Sequence, residues 1–403
     1  MMKVLVLSHM YPNTANEVGG IFIQQQVKAL EELGVDVKVV SPKPWTPFPI
    51  NCLTEKWREY DKIPIQVTRE GIQIYYPRYL TFPRKFSFHT SGTRMYWGIR
   101  GLVDRIKKDF DFDLIHAHVA LPDGYAAYRL AQRFGKPFIV SIHGQDLQVT
   151  VNMGDTYIEK LDQVFQASAV VHVVSNKLKN IATEILGYKS KIKVIPNGVK
   201  ESLILQEKEL NASTKLSDKS NTTLLSVSNL IPSKGIDLNI MAVSRLLGEF
   251  PSLNYKIVGE GAQFKELKGL AQKEGISDSV EFLGELSHDN VIGEMRKADI
   301  FALPSWKEGF GVVYLEAMSQ AKPVVGCRGE GVEDFVEQKK TGLLVEPKDV
   351  DSLTWAIRYL MNNPDEASEM GKRARKVVRE NYTWQKNAEK TISLYEGVLD
   401  EQS

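Results

Sequence analysis

Hydrophobic and polar positions follow two alternating periods along this chain. Short apolar runs bounded by polar residues, glycine or proline predict buried strands: "KVLVLS" (3–8), "VDVKVVSP" (35–42), "FDLIHAHV" (112–119), "PFIVSIHG" (137–144), "AVVHVVSN" (169–176) and "KIKVIPNG" (191–198). Between them, "GIFIQQQVKALEELG" (20–34), "GYAAYRLAQRFG" (124–135) and "KLKNIATEILG" (177–187) have helical periodicity. Strands alternating with helices argue for a parallel, doubly wound sheet of the α/β class. From about 199 to 221 the pattern lapses into a polar, strand-poor stretch, which reads as a connection between domains. The alternation restarts with "TTLLSVSNL" (222–230). It runs on through "NYKIVGEG" (254–261), "SVEFLGEL" (279–286), "ADIFALPS" (298–305), "KPVVGCRG" (322–329) and "TGLLVEP" (341–347), and the chain closes on three helical runs. Two doubly wound domains, 1–200 and 222–380, joined by 201–221, are therefore expected. Their ligand site is expected in a cleft between facing strand C-termini.

The length of 403 residues agrees, being too great for one ordinary core. Composition is globular, with 43% hydrophobic and 25% charged residues. The net charge of +1 hides an asymmetry. Residues 1–200 carry 26 Lys+Arg and 18 Asp+Glu, net +8; the rest carry 25 and 32, net −7. A basic first half suggests an anionic partner, although uneven surface charge can also arise by chance. Cys52 and Cys327 offer neither a disulfide framework nor metal-ligand spacing, which fits a reducing cytoplasm. The start "MMKVLVLSHMYP" reads as a strand rather than a signal peptide, and no apolar run approaches a membrane span.

The candidate chemistry concentrates in "PSWKEGFGVVYLEAMSQAKPVV" (304–325), where seven residues separate Glu308 from Glu316. The loop joins a strand to a helix. Gly309 and Gly311 let ligand atoms approach the backbone. Amides from Phe310 to Val312, at the helix start, form an anion site suited to a diphosphate. Glu308 at the mouth suits sugar hydroxyls, and Glu316 deeper in the helix suits a ribose diol. The same spacing also fits an acid placed for the helix dipole plus an ordinary surface glutamate, so spacing alone leaves both readings open.

In order along the chain, "EVGGIF" (17–22), "DLIHAHVALPDG" (113–124), "VSIHGQD" (140–146), "VIPNGV" (194–199), "SNLIPSKGID" (228–237), "IVGEG" (257–261), "VEFLGEL" (280–286), "EGFGVVYLE" (308–316) and "TGLLVEP" (341–347) form a set. That set resembles the retaining glycosyltransferases of family 4, and the resemblance covers nearly the whole chain. It implies the GT-B fold, two Rossmann-like domains facing across a cleft, with the last helix (381–403) crossing back onto the first domain. It also implies transfer of a sugar from a nucleoside diphosphate, UDP by family bias, to an acceptor hydroxyl, without metal or cofactor.

Carried over singly, Lys234 matches the phosphate lysine, whose charge would offset that of the leaving diphosphate. The resemblance places Lys234, Glu308 and His118 in catalysis. Gly19, Gly20, Asn229, Gly259, Leu283, Gly309, Phe310, Gly311, Val312 and Glu316 fall on the donor side, with Gly20 reaching the diphosphate from the first domain. His116 and His118 alternate along a strand and share a face, while His143 and Asp146 shape the acceptor side. Glu333 occupies the place of a family glutamate near the donor end. One departure is Asn229, where the family usually has arginine. A neutral donor there weakens the grip on the diphosphate, and Arg328 is a candidate to compensate.

Two other motifs carry less. "DFD" (111–113) satisfies the D-x-D pattern of metal-dependent transferases, but it precedes a strand and reads as a turn cap. "GEGAQF" (259–264) lacks the third glycine of a dinucleotide fingerprint. Residues 78–108 contain eight Lys/Arg, one acid (Asp104) and the aromatics Tyr79, Phe82, Phe86, Phe88, Tyr96 and Trp97. This mixture suits an anionic membrane surface presenting a lipid-linked acceptor, or equally a buried aromatic cluster with a basic rim. The weak net charge and the lack of a recognition motif argue against nucleic acid. The expected function is glycosyl transfer in cell-envelope or exopolysaccharide synthesis at the cytoplasmic side. The alternatives are a nucleotide-sugar 2-epimerase on the same scaffold or a non-enzymatic nucleotide-sugar-binding subunit.

Overall fold

The computed structural model describes residues 1–47, 55–82, 88–187, 191–210 and 222–401. The chain divides into two compact units, one of Met1–Pro196 with Trp384–Ser403 and the other of Asn197–Thr383. Each is an α/β unit built on a parallel sheet.

In the first unit the strands are β1 (Lys3–Leu7), β2 (Asp36–Val40), β3 (Lys43–Trp45), β4 (Gln66–Arg69), β5 (Ile72–Tyr75), β6 (Arg78–Leu80), β7 (Leu114–His118), β8 (Phe138–Ile142), β9 (Val170–Val173) and β10 (Ile192–Val194). Eight of them form one sheet in the order β10-β9-β8-β7-β1-β2-β5-β4, and β3 and β6 pair separately. Only β4 runs antiparallel, at the edge against β5. The central strands β1 and β7 are buried over Val4–Leu7 and Leu114–His118 because helices cover both faces, and β7 carries His116 and His118 among its apolar residues. Strand order reverses beside β1, which takes β2 on one side and β7 on the other.

The second unit contains β11 (Thr223–Val227), β12 (Asn254–Val258), β13 (Val280–Gly284), β14 (Ile300–Ala302), β15 (Val324–Cys327) and β16 (Gly342–Val345). They lie in the order β13-β12-β11-β14-β15-β16, so the reversal falls between β11 and β14. Beneath that reversal sits Asn239, fully buried in helix Ile236–Leu246. Its Nδ2 shares its two hydrogens among Ser226 Oγ on β11 (3.0 Å), Tyr255 Oη on β12 (3.1 Å) and the Ala302 carbonyl of β14 (3.0 Å). One amide thus ties the three strands that diverge at their C-terminal ends.

The expected strands are present, each trimmed by one to five residues of flanking sequence. Two segments differ from expectation. Residues 201–210, read as connection, are part of the second unit. Leu205 N donates to the Ser319 carbonyl (3.0 Å), Gln320 Nε2 to Leu203 (2.6 Å) and Arg375 Nε to Leu205 (2.6 Å). Residues 211–221 lie outside the described residues. The chain returns to the first unit at Trp384, where helix Trp384–Asp400 packs on helix Ile21–Glu32 through Trp384, Ala388, Tyr395 and Val398. Buried Gln26 and Asn387 bond across that seam (2.7 Å), and Asn387 also holds the Pro196 carbonyl where the chain leaves the unit (2.7 Å).

The region 78–108 folds as β6 followed by helix Ser91–Asp109. Its aromatics separate: Tyr79 and Tyr96 are core residues, whereas Phe82 and Trp97 are exposed, with Arg94 over Phe82 and Arg100 over Trp97. Phe86, like Cys52, lies outside the described residues. In "DFD", Asp113 accepts the Lys3 amide (2.7 Å) at the start of β1, the end opposite His118.

Replacing Asn239 with alanine removes the buried amide donor that Ser226, Tyr255 and Ala302 share, leaving only the bonds of Ser226 Oγ to Tyr255 and Ala302, at a cost of about 0.5–1.5 kcal/mol. Urea unfolding of Asn239→Ala is expected to show a lower midpoint at unchanged slope; an unaltered midpoint would rule out the tie.

Candidate active site

In the second unit a cavity of about 460 Å³ opens where β11 and β14 part. This is where an open parallel sheet with reversed strand order leaves a crevice. Its walls are the loops leaving the strands: Ser228, Asn229 and Lys234 after β11, Gly259 after β12, Glu285 and Leu286 after β13, and Glu308, Gly311 and Val312 after β14. The first and last of these loops are tied together, since Trp306 N and Ser305 Oγ both donate to the Ser233 carbonyl (3.0 and 3.1 Å). The tie places Lys234 Nζ 2.6 Å from Glu308 Oε2, in an ion pair with most of both side chains withdrawn from water.

Backbone shape follows from glycine. Gly259 has φ +125°, and a Cβ there would stand 1.9 Å from the Ser228 carbonyl oxygen. Gly311 has φ +93° and caps helix Val312–Ser319. Among the described residues, the amides of Phe310, Gly311 and Val312 donate to no other protein group. Orphan amides at a helix start form a site for an anion. The Ser228 hydroxyl, also on the cavity wall, is buried and has no protein partner.

Not every expected donor residue lines this cavity. Gly309 and Phe310 lie behind it, the Phe310 ring packing on Phe335 and Tyr382. Leu283 is half-buried at the end of β13, and its neighbours Glu285 and Leu286 form the wall. Glu316, on helix Val312–Ser319, accepts from His288 Nε2 at its Oε1 (2.8 Å). This hydrogen bond raises the His288 pKa above its ordinary value. Arg328 pairs with Glu346 (3.0 Å) and is absent from the wall, so compensation for Asn229 is not its role here. Glu333 accepts the Gly329 amide (2.9 Å). Glu330, nearly buried, is bonded to the loop of Glu308, its Oε2 accepting the Glu308 amide at 2.5 Å.

In the first unit the expected residues gather at the C-terminal ends of β1, β7 and β8. Gly20 caps helix Ile21–Glu32 at φ +76°, and a Cβ there would meet the Met10 carbonyl oxygen at 1.8 Å. Gly19 donates its amide to Asn16 Oδ1 (2.7 Å). His118 is fully buried at the end of β7, and its Nδ1 lies 3.0 Å from His143 Nε2. Burial lowers both pKa values, that of His143 to about 3, so both rings are neutral. His118 Nε2 and His143 Nδ1 are shut off from solvent without a protein partner. Asp146 directs both carboxylate oxygens at the amides of Ala120 (3.0 Å) and Leu121 (3.3 Å), bracing the turn after β7. Burial pushes its pKa up to about 6.

Sequence reasoning missed a further pair in this unit. Asp123, fully buried, accepts the His9 amide (2.9 Å) and also bonds His9 Nδ1. His9 follows β1 directly, beside the end of β7, and a third of its side chain is exposed. A histidine held by a buried carboxylate, with its other ring nitrogen open, is equipped to hold or move a proton. The signal was present in the proximity of "SH" to the end of the first strand and of "PDG" to the end of β7, but pairing them required knowing that β1 and β7 are neighbours. Glu330 and His288 were missed for the same reason.

The second unit thus offers an anion site of free amides with a lysine–glutamate pair beside it, and the first unit offers imidazole nitrogens without protein partners. Among the described residues no cluster of three or more His, Cys, Asp or Glu side chains is placed to hold a metal ion. No helix there is long and apolar enough to cross a membrane.

Two family descriptions match the chain: "Glycosyltransferase Family 4" over residues 19–203 and "Glycosyl transferases group 1" over 207–377. An uncharacterized glycosyltransferase of Methanocaldococcus jannaschii is 30% identical over 72% of this chain and 76% of its own length. The putative teichuronic acid biosynthesis glycosyltransferase TuaC of Bacillus subtilis is 29% identical over 89% of both chains. Among solved structures, sucrose-phosphate synthase from Thermosynechococcus elongatus superposes with a TM-score of 0.79 at 21% identity, covering all of both chains. Anabaena HepE, solved in complex with UDP and glucose, gives 0.73 at 18% identity, covering 98% of this chain and all of that one. These similarities identify the two Rossmann-like units as a GT-B fold.

The Glu316–His288 bond makes a pH-dependent contribution of known sign. The folded pKa of His288 lies above its unfolded value of about 6.5, so the contribution is complete below that value and is lost as pH rises through the folded one. Histidine NMR titration of Glu316→Gln is expected to show His288 moving back down; an unmoved midpoint would mean that the bond does not form in solution.

Proposed function

Given that the chain belongs to glycosyltransferase family 4 and is a glycosyltransferase, we propose that it takes its sugar from a nucleoside diphosphate, UDP, and delivers it with retained anomeric configuration and without a metal ion. The observation that carries this reading is the conjunction of the Lys234–Glu308 pair with the unpaired amides of Gly311 and Val312 in one cavity, the Phe310 amide preceding them at the helix start. The amides of Phe310 to Val312 hold the diphosphate, and Lys234 balances the charge that grows on it as the C1–O bond breaks. Glu308 accepts hydroxyls of the transferred sugar. Glu316 keeps Oε2 for the ribose diol while His288 occupies Oε1. The Anabaena HepE structures with UDP and with UDP-glucose support a UDP-linked donor.

The acceptor oxygen forms the new bond to C1 on the face the diphosphate leaves. The hydroxyl proton passes to the departing phosphate oxygen, and the electron pair of the broken bond stays on that oxygen. His118, His143 and His9 in the first unit serve the acceptor side, with Asp123 orienting His9. Similarity to the teichuronic acid enzyme supports a glycan or lipid-linked acceptor in the cell envelope, used from the cytoplasmic face. The exposed Phe82 and Trp97, each beneath an arginine, are the part of 78–108 suited to an anionic membrane surface.

A panel of nucleotide sugars screened by thermal shift, followed by product analysis with and without acceptor, tests the reading. Sugar transfer only when acceptor is present is the expected result; an epimerised sugar from donor alone, or binding without turnover, would replace it. Lys234→Ala and Glu308→Ala are each expected to lower kcat by on the order of 10²–10³-fold. Glu316→Ala is expected to raise donor KM by roughly tenfold with a smaller effect on kcat. Flotation with anionic vesicles should exceed that with neutral ones, and Trp97→Ser should reduce it; equal flotation would remove the membrane from the proposal.

A further inference from the structure

A chain of buried hydrogen bonds runs through the first unit from the Ile195 carbonyl to the C-terminal helix, and its directions can be worked out. His172 Nε2 lies 2.8 Å from that carbonyl. A carbonyl only accepts, so Nε2 carries the hydrogen. Burial brings the His172 pKa down to about 4, so the ring is neutral and its Nδ1 is bare. The Ser141 hydroxyl therefore donates to Nδ1. Having spent its single hydrogen there, Ser141 Oγ accepts from His116 Nε2 at 2.6 Å. His116 is likewise buried and neutral, which leaves its Nδ1 bare. The hydroxyl of Tyr395, 2.6 Å away, donates to it. Burial keeps that phenol protonated. All four side chains are at most 1% exposed.

The far end of this chain touches the candidate site. The His116 ring stacks on His118 with centroids 4.4 Å apart and planes 28° from parallel. His118 in turn lies within 9° of the plane of His143, joined to it through Nδ1. His116 is tied at both ring nitrogens and cannot turn, so one face of His118 rests against a fixed, uncharged wall.

We propose that Tyr395 is a positioning residue. Its hydroxyl pins the ring of His116, and His116 sets the plane in which His118 holds its buried, unpartnered Nε2 for a substrate hydroxyl. The inference rests on the reading of His118 as a substrate-facing group. It assigns the C-terminal helix a task beyond packing: supplying the last donor of a hydrogen-bond chain that crosses the sheet under the acceptor side.

The test uses the full chain with 15N-labelled histidine. In the unliganded wild type, long-range 1H–15N spectra are expected to show His116 and His172 as neutral rings protonated at Nε2. In Tyr395→Phe, which keeps the ring packing, the His116 Nδ1 resonance should shift as it loses its donor. Turnover should fall at least tenfold in kcat, with donor KM within twofold. Ser141→Ala cuts the chain at its middle and should give the same split, which guards against a folding defect peculiar to either variant. Wild-type kcat in both variants, or a His116 ring protonated at Nδ1, would overturn the proposal. His118→Ala separates the two levels. If it abolishes transfer while Tyr395→Phe does not, positioning alone fails. If it leaves transfer intact, the acceptor-side reading of His118 fails and the positioning role with it.

Discussion

A strand in a parallel sheet satisfies its backbone on both sides only as far as its neighbours run with it. Where strand order reverses, the loops on either side depart in opposite directions and leave a crevice that no main-chain pairing fills. In the second unit that place lies between β11 and β14, and the rest of the site is built around it. Asn239 holds the diverging strands from below. The bonds from Trp306 and Ser305 to Ser233 hold the departing loops at the top. Gly259 and Gly311, both at positive φ, let backbone border the gap where a side chain would fill it. The amides of 310–312 remain without protein partners because their helix starts at the rim.

Three carboxylates at this crevice that are largely withdrawn from water have a defined partner, because an acid buried without one is costly. Glu308 faces Lys234, Glu330 takes the amide of Glu308, and Glu316 takes His288. Such pairing keeps a concentrated group of charges in fixed positions before any ligand arrives. Under the proposed function, the sugar diphosphate would insert itself among these existing partners, its phosphate taking up the lysine and its hydroxyls the glutamate.

The first unit solves the same problem with neutral groups. Its sheet edge holds His9, His118 and His143 on adjacent strands, with His116 and His172 behind them. Burial strips the second proton from the four deeper rings. Neutral imidazoles hydrogen-bond directionally, and one acceptor-only carbonyl is enough to orient a whole series of them. Helix Trp384–Asp400 completes that series, so a segment far along the chain finishes the interior of the unit that begins with β1.

The periodicity of the chain was enough to place nearly all the central strands, because a strand buried on both faces must be apolar and bounded by turn residues. The spacing of Glu308, Gly311 and Glu316 was equally legible, because a strand–loop–helix step is local. The family likeness rested on a series of such local segments in a fixed order. Other features could not be read, because they depend on which strands lie side by side. His9 and Asp123 are 114 positions apart, and His116 and Tyr395 are 279 apart. Glu330 could not be told from Glu333 until the turn after β15 was seen to fold its carboxylate onto the Glu308 amide. The sequence by itself determined the elements, the glycine-shaped loops and the helix start with its unpaired amides, since each is fixed by residues within a turn or two of one another. Only the tertiary structure decided which acid meets which base, and which nitrogen of each buried histidine carries its hydrogen. Those outcomes are set by sheet order and by burial, and neither is a local property of the chain.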